Sequence, residues 1–520
     1  MAVNPSIQLG TSGNWAIKED NLLAYKQLGN KFFDREFDFS RGTTATFVGR
    51  NGLIQESGLT DTELVTNGDF ATDTDWSKGT GWAISNGKAT HTGSTGNFTQ
   101  NIGVSGKKVL LTFEVLTIDN GVCNVIDADI STIALASFST IGVKTVTLNF
   151  VGNLIGLRSN STNCSITNIS VKEIQTDVPR IDFTDDPTGH LLLEPQSTNL
   201  VPYSELFSQW NSDDATLISN SVVSPDGTQN ASTLIGSTVN SRHHIRKVVS
   251  GSVDASFSLF VKAKELKYLQ IASANTVNQY VNFDVESGII GTVGSSFSNA
   301  KIENYGNGWY RVSVVSLNQY NTYYISLVSG LNAGWLESWV MPNNRDGLYI
   351  WGAQLEQQSY PTSYIPTSGS TVTRNQELCN NSGTASDFNS EEGVLYADIS
   401  ALADDLTNRF ISLTDGTQNN SVCLFYGGGS SNFIRSEIKS NNVTQAELTT
   451  TSYPITNFNK IAVKYKGNDF ALWVNGVEVA TDTSGSTPIG LNDLSFNRAN
   501  ILDFYGKTKN LKVFKRALTD

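Results

Sequence analysis

The 520-residue chain predicts an all-β protein made of several β-sandwiches, on three observations. Only 16% of its residues are charged, and 44 glycines with many Ser, Thr and Asn residues separate short runs rich in Val, Ile, Phe, Tyr and Trp. That is the composition of strands joined by turns. Within the runs large residues alternate, as where Leu348, Ile350 and Gly352 interleave with Tyr349, Trp351 and Ala353, which is the period of a pleated strand. The chain also exceeds what a single core holds, so about three or four domains are expected.

Residues 1–58 read as an irregular arm with a short helix at Asn21–Leu28, followed by Phe37, Phe39 and Phe47 at strand-like spacing. The arm carries Leu22, Leu23, Tyr25, Phe32, Phe33, Phe37 and Phe39 but too little chain to bury them, so a partner surface is expected to cover it. Residues 59–176 change to short strands with turn signals at Asn67–Gly68, Asn86–Gly87 and Asn120–Gly121, closing on the strand-like Ser165–Ile174. Residues 177–372 form a longer β region in which Pro361 and Pro366 end the last strand. Residues 373–520 hold the linker-like Cys379–Ser386 and then a third β region from about Glu391, in which Asn475–Gly476 between alternating apolar residues marks a hairpin. A weak internal repeat aligns Leu64–Phe70 and Trp76 with Leu200–Phe207 and Trp210, as if one sandwich plan occurred twice.

A net charge of −13 and a pI near 4.9 argue against a nucleic-acid partner, which needs a concentrated positive field. The basic cluster Arg242–Lys247 is short and reads as a solvated strand. The N-terminal sequence MAVNPSIQLGTSGNWAIKED lacks the apolar core of a signal peptide, and no segment approaches the roughly 18 apolar residues of a membrane helix. Synthesis in a cytosol is therefore expected, with no membrane insertion. Cys123, Cys164, Cys379 and Cys423 lack paired metal-site spacing and read as reduced core residues.

Several stretches carry family resemblances. The opening Asn67-Gly-Asp-Phe70 with Asp75-Trp76, and the closing Ile169–Ile174, resemble carbohydrate-binding modules of the galactose-binding-like jelly-roll type. Tyr203–Trp210, Ser224–Thr228, Phe257–Ala263, Asn307–Arg311 and Tyr349–Glu356 resemble a module recurrent in tailed-bacteriophage virion proteins. Lys460–Tyr465, Phe470–Val479 and Lys509–Leu518 resemble the concanavalin A-like, laminin-G-like lectin fold. Phe37–Phe47 with Asn51–Ile54, and Pro179–Phe183 with Leu191–Leu200, resemble a signature of phage tail, fibre and capsid-appendage proteins, here split by a jelly roll that looks inserted. These resemblances imply two jelly rolls and a lectin-like sandwich on a virion surface. They also imply attachment to other virion proteins through the arm, host glycans as ligands, and a homo-oligomer, with trimers common in such appendages.

No catalytic constellation assembles. Glucanases of the concanavalin-like fold carry three carboxylates on one strand face as ExDxxE, and Glu36-Phe-Asp38 lacks the third. Asp284-Val-Glu286 runs straight into Ser287-Gly288 and reads as a strand end. His91, His190, His243 and His244 have no motif partners. A glycan binder needs only exposed aromatic platforms with hydrogen-bonding neighbours, and Trp76, Trp82, Trp210, Trp335, Trp339 and Tyr426 are the candidates, with core filling as the alternative for each. Trp335 and Trp339, before the loop Pro342–Asp346, are the better exposed candidates, whereas Trp309, Trp351 and Trp473 fall in strand patterns and read as core. Asp415 in Asp415–Asn420 is a candidate calcium ligand or a plain turn residue, and no other cofactor is expected. The expected function is a non-enzymatic virion component that presents glycan-binding sandwiches. The alternatives are a glycan-degrading enzyme and a spacer with no ligand.

Overall fold

The computed structural model describes residues 4–10, 13, 15–18, 21–24, 35–119, 121–130, 134–159, 162–175, 177–249, 255–273, 278–316, 322–343 and 345–518. Among them are strands and one 3-10 turn, Phe207–Gln209, but no α-helix. The all-β, multi-sandwich expectation therefore holds. The chain divides into two compact units, Ser57–Thr176 and the combination of Met1–Glu56 with Asp177–Asp520.

The smaller unit is a sandwich of a six-stranded and a five-stranded antiparallel sheet. Its central strand Lys108–Ile118 shows why: Val109, Leu111, Phe113 and Val115 are buried while the residues between them face outward. Asn86 and Gly87 take φ of 55° and 71° and close the hairpin of Trp82–Ser85 with Lys88–His91. The first strand, Leu59–Glu63, pairs with the last, Cys164–Ile174, through Leu59 opposite Ile174 and Glu63 opposite Lys172. Entry and exit of this unit thus lie side by side. Of the expected turns, Asn120 lies outside the described residues.

The larger unit holds two sandwiches. In the first, two six-stranded sheets bury Leu269, Ile271, Val281 and Phe283 against Leu259, Val261, Val312 and Ile350. Its strand Gly347–Glu356 is buried on both faces. Leu348 and Ile350 face the inter-sheet core, Trp351 faces a second cluster with Phe260, Trp309 and Tyr364, and Ala353 and Leu355 return to the first core. The phase changes at a β-bulge, where Gly352 has φ of 64° and a Cβ would lie 2.9 Å from the Phe260 ring. Alternation with Gly352 in the series encoded that bulge.

The second sandwich sets an eight-stranded sheet against a five-stranded one. The Asn475–Gly476 hairpin forms as expected between Phe470–Val474 and Val477–Asp482. Unexpected is the origin of several strands. Ile7–Leu9 pairs with Gly506–Phe514, placing Ile7 opposite Val513, and Arg180–Asp182 and His190–Leu193 extend the same sheet. The expected irregular, partner-covered arm is corrected accordingly. Asn21–Ala24 is a strand rather than a helix start, it pairs with Arg35–Ser40, and Leu378–Asn380, in the stretch read as a linker, pairs with Arg35–Ser40 in turn. Ile7, Leu9, Leu22, Phe37, Phe39 and Cys379 are buried in the core of the C-terminal sandwich. Counting apolar residues against the arm's own length missed that an open sheet edge elsewhere in the chain would cover them. Tyr25, Phe32 and Phe33 lie outside the described residues.

Beside these strands sits a fully buried ion cluster. Arg180 donates from Nε to Glu377 Oε1 at 2.8 Å, from Nη2 to both Glu377 and Glu194, and from Nη1 to the Thr46 carbonyl and Ser363 Oγ. Arg374 binds Glu194 and the Pro195 carbonyl, and Arg41 binds Glu377 Oε1 at 2.9 Å and the Val178 carbonyl. The arginine and glutamate side chains are between 0% and 4% exposed, so their hydration is replaced by one another and by the carbonyl and hydroxyl groups around them.

Two buried carboxylates are driven to opposite sides of the ordinary carboxylate value. Burial alone would raise Glu194, but Arg374 and Arg180, helped by Ser363, hold it down at about 2. Glu205 has no cation beside it, and burial pushes it up to about 7, its oxygens accepting from Tyr364 Oη at 2.8 Å and Asn230 Nδ2 at 3.1 Å.

Glu377→Gln should cost about 3–5 kcal/mol in urea unfolding, because Arg180 and Arg41 then remain buried without their carboxylate. Stability of the larger unit should fall as pH drops from 4.5 through about 2, where Glu194 is protonated in the native state. It should also fall as pH rises from 4.5 to about 7, where the unfolded chain releases the Glu205 proton and the native state keeps it; Glu205→Gln should flatten that second slope alone. Joining Gly58 to Val178 through a short Gly-Ser linker should leave the larger unit cooperatively folded, whereas deleting residues 1–40 should unfold the C-terminal sandwich, both read by circular-dichroism melts.

Candidate functional site

Four of the six candidate aromatics are structural. Trp76, Trp82 and Trp210 are 5–6% exposed and Tyr426 is 0% exposed. Trp76 stacks on Phe98 at 4.5 Å and 2°, Trp82 stacks on the same ring at 4.9 Å, and Tyr426 donates its hydroxyl to the Ile399 carbonyl at 2.9 Å. The internal repeat has a common cause: Phe70 tilts against Trp76 at 58° and Phe207 against Trp210 at 56°. In each pair the indole donates to a nearby carbonyl, of Asn67 and of Tyr203. The repeat encodes a core plug, so the platform expectation is corrected for these four. Trp309 and Trp351 are buried as expected, and Trp473 is half-buried.

Trp335 and Trp339 are half-buried, on a loop lying across the sheet that contains Tyr268–Ser273. Leu269 and Ile271 of that strand fill the core, so Gln270 projects from the opposite face beside its cross-strand partner Asn282. Gln270 donates to the Gly334 carbonyl at 2.9 Å and accepts from Leu336 N–H at 2.7 Å. Asn282 donates to the carbonyls of Leu331 and Ala333. Two buried amides therefore pin the loop.

The two indoles then differ. The guanidinium of Arg242 lies 5.2 Å from the centroid of Trp335, which covers that ring, so Trp335 is not an open platform. Trp339 donates to the Leu327 carbonyl at 3.1 Å, which fixes its plane, and lines a hollow of about 410 Å³ together with Tyr268, Lys264, Lys267, Glu286 and Ser329. Lys264 is held by Glu265, and Lys267 by Glu286 at 3.0 Å while lying 5.3 Å from the Tyr268 ring. The hollow thus offers the Trp339 ring beside a Tyr268 ring that Lys267 overlies, with charge-balanced hydrogen-bonding groups between them. Tyr268 was missed in the sequence, although its position opposite in phase to Leu269 was a readable signal.

The remaining candidates resolve as structure. Asp415 accepts from Thr417 N–H and Oγ1 and from Asn420 Nδ2, so it closes a turn, and no group of three or more metal-ligating residues occurs among the described residues. Asp284 caps the N–H groups of Glu286 and Ser287. Asp38 accepts from Asn381 Nδ2. A hollow of about 530 Å³ gathers Asp182, Asp185, Glu303, Lys301 and Lys507, but Asp182 accepts from the N–H groups of Val48 and Thr184, and Asp185 is paired with Lys507. His190, 3.6 Å from Asp182, is driven down to about 4 by burial and is neutral at physiological pH.

No protein-family model matches the chain, and no curated protein matches it in sequence. Among solved structures it is similar to the CBM40 module of the Ruminococcus gnavus IT-sialidase, solved free and with α2,3-sialyllactose, at 16% identity over 27% of this chain and 89% of that one, with a TM-score of 0.23. It is also similar to domains LG4-5 of the mouse laminin α1 chain, at 10% identity over 55% of this chain and 92% of that one, with a TM-score of 0.19. At such values no ligand follows from either likeness.

Because Trp76 is a core plug, Trp76→Ala should destabilise the smaller unit by about 3–5 kcal/mol. Thermal melts of residues 57–176 measure this directly.

Proposed function

We propose that the chain is a surface component of a bacteriophage virion, a fibre, spike or decoration protein, whose sandwiches bind host glycans without cleaving them. The observation that best supports binding is the Trp339–Tyr268 hollow. Sugar rings present apolar C–H faces and polar edges, and the hollow sets the Trp339 ring beside Tyr268 with lysine and carboxylate groups at its rim. The virion assignment rests on the residue patterns of the sequence, above all the split signature around Phe37–Phe47 and Leu191–Leu200. Repetition of the chain on a particle or in a homo-oligomer would turn weak single sites into firm attachment by effective concentration.

Glycan-array and bacterial-cell binding by the purified chain test this reading. Trp339→Ala with Tyr268→Ala should weaken binding about tenfold or more, equivalent to about 1.4 kcal/mol, in a protein whose melt stays cooperative. Unchanged binding would remove the hollow as the site, release of reducing sugar from host polysaccharide would replace binding by hydrolysis, and no bound glycan would leave a spacer. Antibody labelling of intact particles checks the virion location.

A further inference from the structure

A second hollow, of about 440 Å³, opens along the seam between the two sandwiches of the larger unit. One wall comes from the first sandwich: Gln196 precedes the short strand Ser197–Asn199, and Gln358 and Tyr360 follow the strand Gly347–Glu356. The other wall comes from the C-terminal sandwich: Asp405 and Arg409 at the start of the strand Arg409–Thr414, and Tyr505 just before Gly506–Phe514.

The chemistry of these walls is specific. Arg409 is almost wholly buried, yet it lines the hollow. Its Nη2 donates to Asp405 Oδ1 at 2.7 Å and its Nη1 to the Thr407 carbonyl at 3.0 Å, while its Nε is buried without an acceptor in hydrogen-bond geometry. Asp405 Oδ1 also accepts from Thr407 N–H at 3.1 Å, which leaves Oδ2 for a ligand. Gln358 donates to the Gln196 carbonyl at 3.1 Å, so its own carbonyl and the exposed Gln196 amide remain for other partners. Asp405 and Arg409 are the only charged residues among those lining the hollow, and they neutralise each other.

We infer that this seam is a second carbohydrate site, selective for neutral glycans. A fixed carboxylate–guanidinium pair with adjacent amides matches the alternating donors and acceptors of vicinal hydroxyls. The half-buried Tyr505 supplies apolar area beside them. An anionic sugar would bring its charge against the buried Asp405–Arg409 pair with no spare cation to receive it. The inference rests on the carbohydrate-binding reading and adds a site of different selectivity.

The full chain is titrated with neutral gluco-, galacto- and manno-oligosaccharides and with sialylated and uronate-containing ones, by calorimetry and saturation-transfer NMR. Neutral ligands should bind the wild type and Trp339→Ala alike, and Asp405→Asn should weaken them about tenfold or more. Should Asp405→Asn shift the melt, the rim variant Gln196→Ala with Tyr505→Ala reads the same loss without touching the buried arginine. If neutral ligands respond to Trp339→Ala and not to the seam variants, the seam is no site while the carbohydrate reading stands. If only acidic glycans bind, the selectivity argued here is wrong. If none of the glycans binds, both readings fall together.

Discussion

The larger unit depends on one constraint, that the guanidinium of Arg180 is buried and must be neutralised by chain from elsewhere. Its partners come from Thr46, Glu194, Ser363 and Glu377, and the same carboxylates serve Arg41 and Arg374. A buried ion pair gains little over an apolar core, but leaving one member unpaired is severely destabilising. None of these segments can therefore be placed independently of the others. The cluster also explains how a whole domain can interrupt the chain. Arg41 and Gly42 donate their N–H groups to Asp177, Val48 donates to Asp182, and Phe183 donates back to the Val48 carbonyl, so the stretches on either side of residues 57–176 are clamped together by the larger unit itself. The smaller unit needs only adjacent ends, which the pairing of Leu59 with Ile174 provides.

What the sequence made legible was local. Alternation identified strands such as Lys108–Ile118, and asparagine–glycine pairs identified the hairpins at residues 86 and 475, because strand period and turn chemistry are written within a few residues. The pairing of Ile7 with Val513 was not legible, since nothing near either residue encodes the other. The same blindness produced the expectation of an arm awaiting a partner. Arg41, Arg180, Glu194 and Arg374 stood in plain view as scattered polar positions, yet only their convergence in space gives them a shared role.

Aromatic function was harder still, for a physical reason. Core and surface tryptophans satisfy the indole N–H in the same way: Trp76 donates to the Asn67 carbonyl, Trp339 to the Leu327 carbonyl. What separates them is whether the ring face meets protein, as Phe98 meets Trp76 and Arg242 meets Trp335, or a hollow, as at Trp339. Neighbouring residues decide that, and most of them are distant in sequence. Tyr268 is the exception, because its phase against Leu269 places it on the outer face.

The way the Trp339 loop is held bears on how the hollow would bind. Gln270 and Asn282 spend their amides on four loop groups, so the platform is set before any ligand arrives and little ordering entropy remains to be lost. The same tethering limits what can be gained, because a pinned loop cannot close over a ligand to bury more of it. A preorganised, shallow site of this kind suits fast, weak and reversible contacts with repeated sugars. Strength must then come from the number of contacts, which favours a protein displayed in many copies over one acting alone.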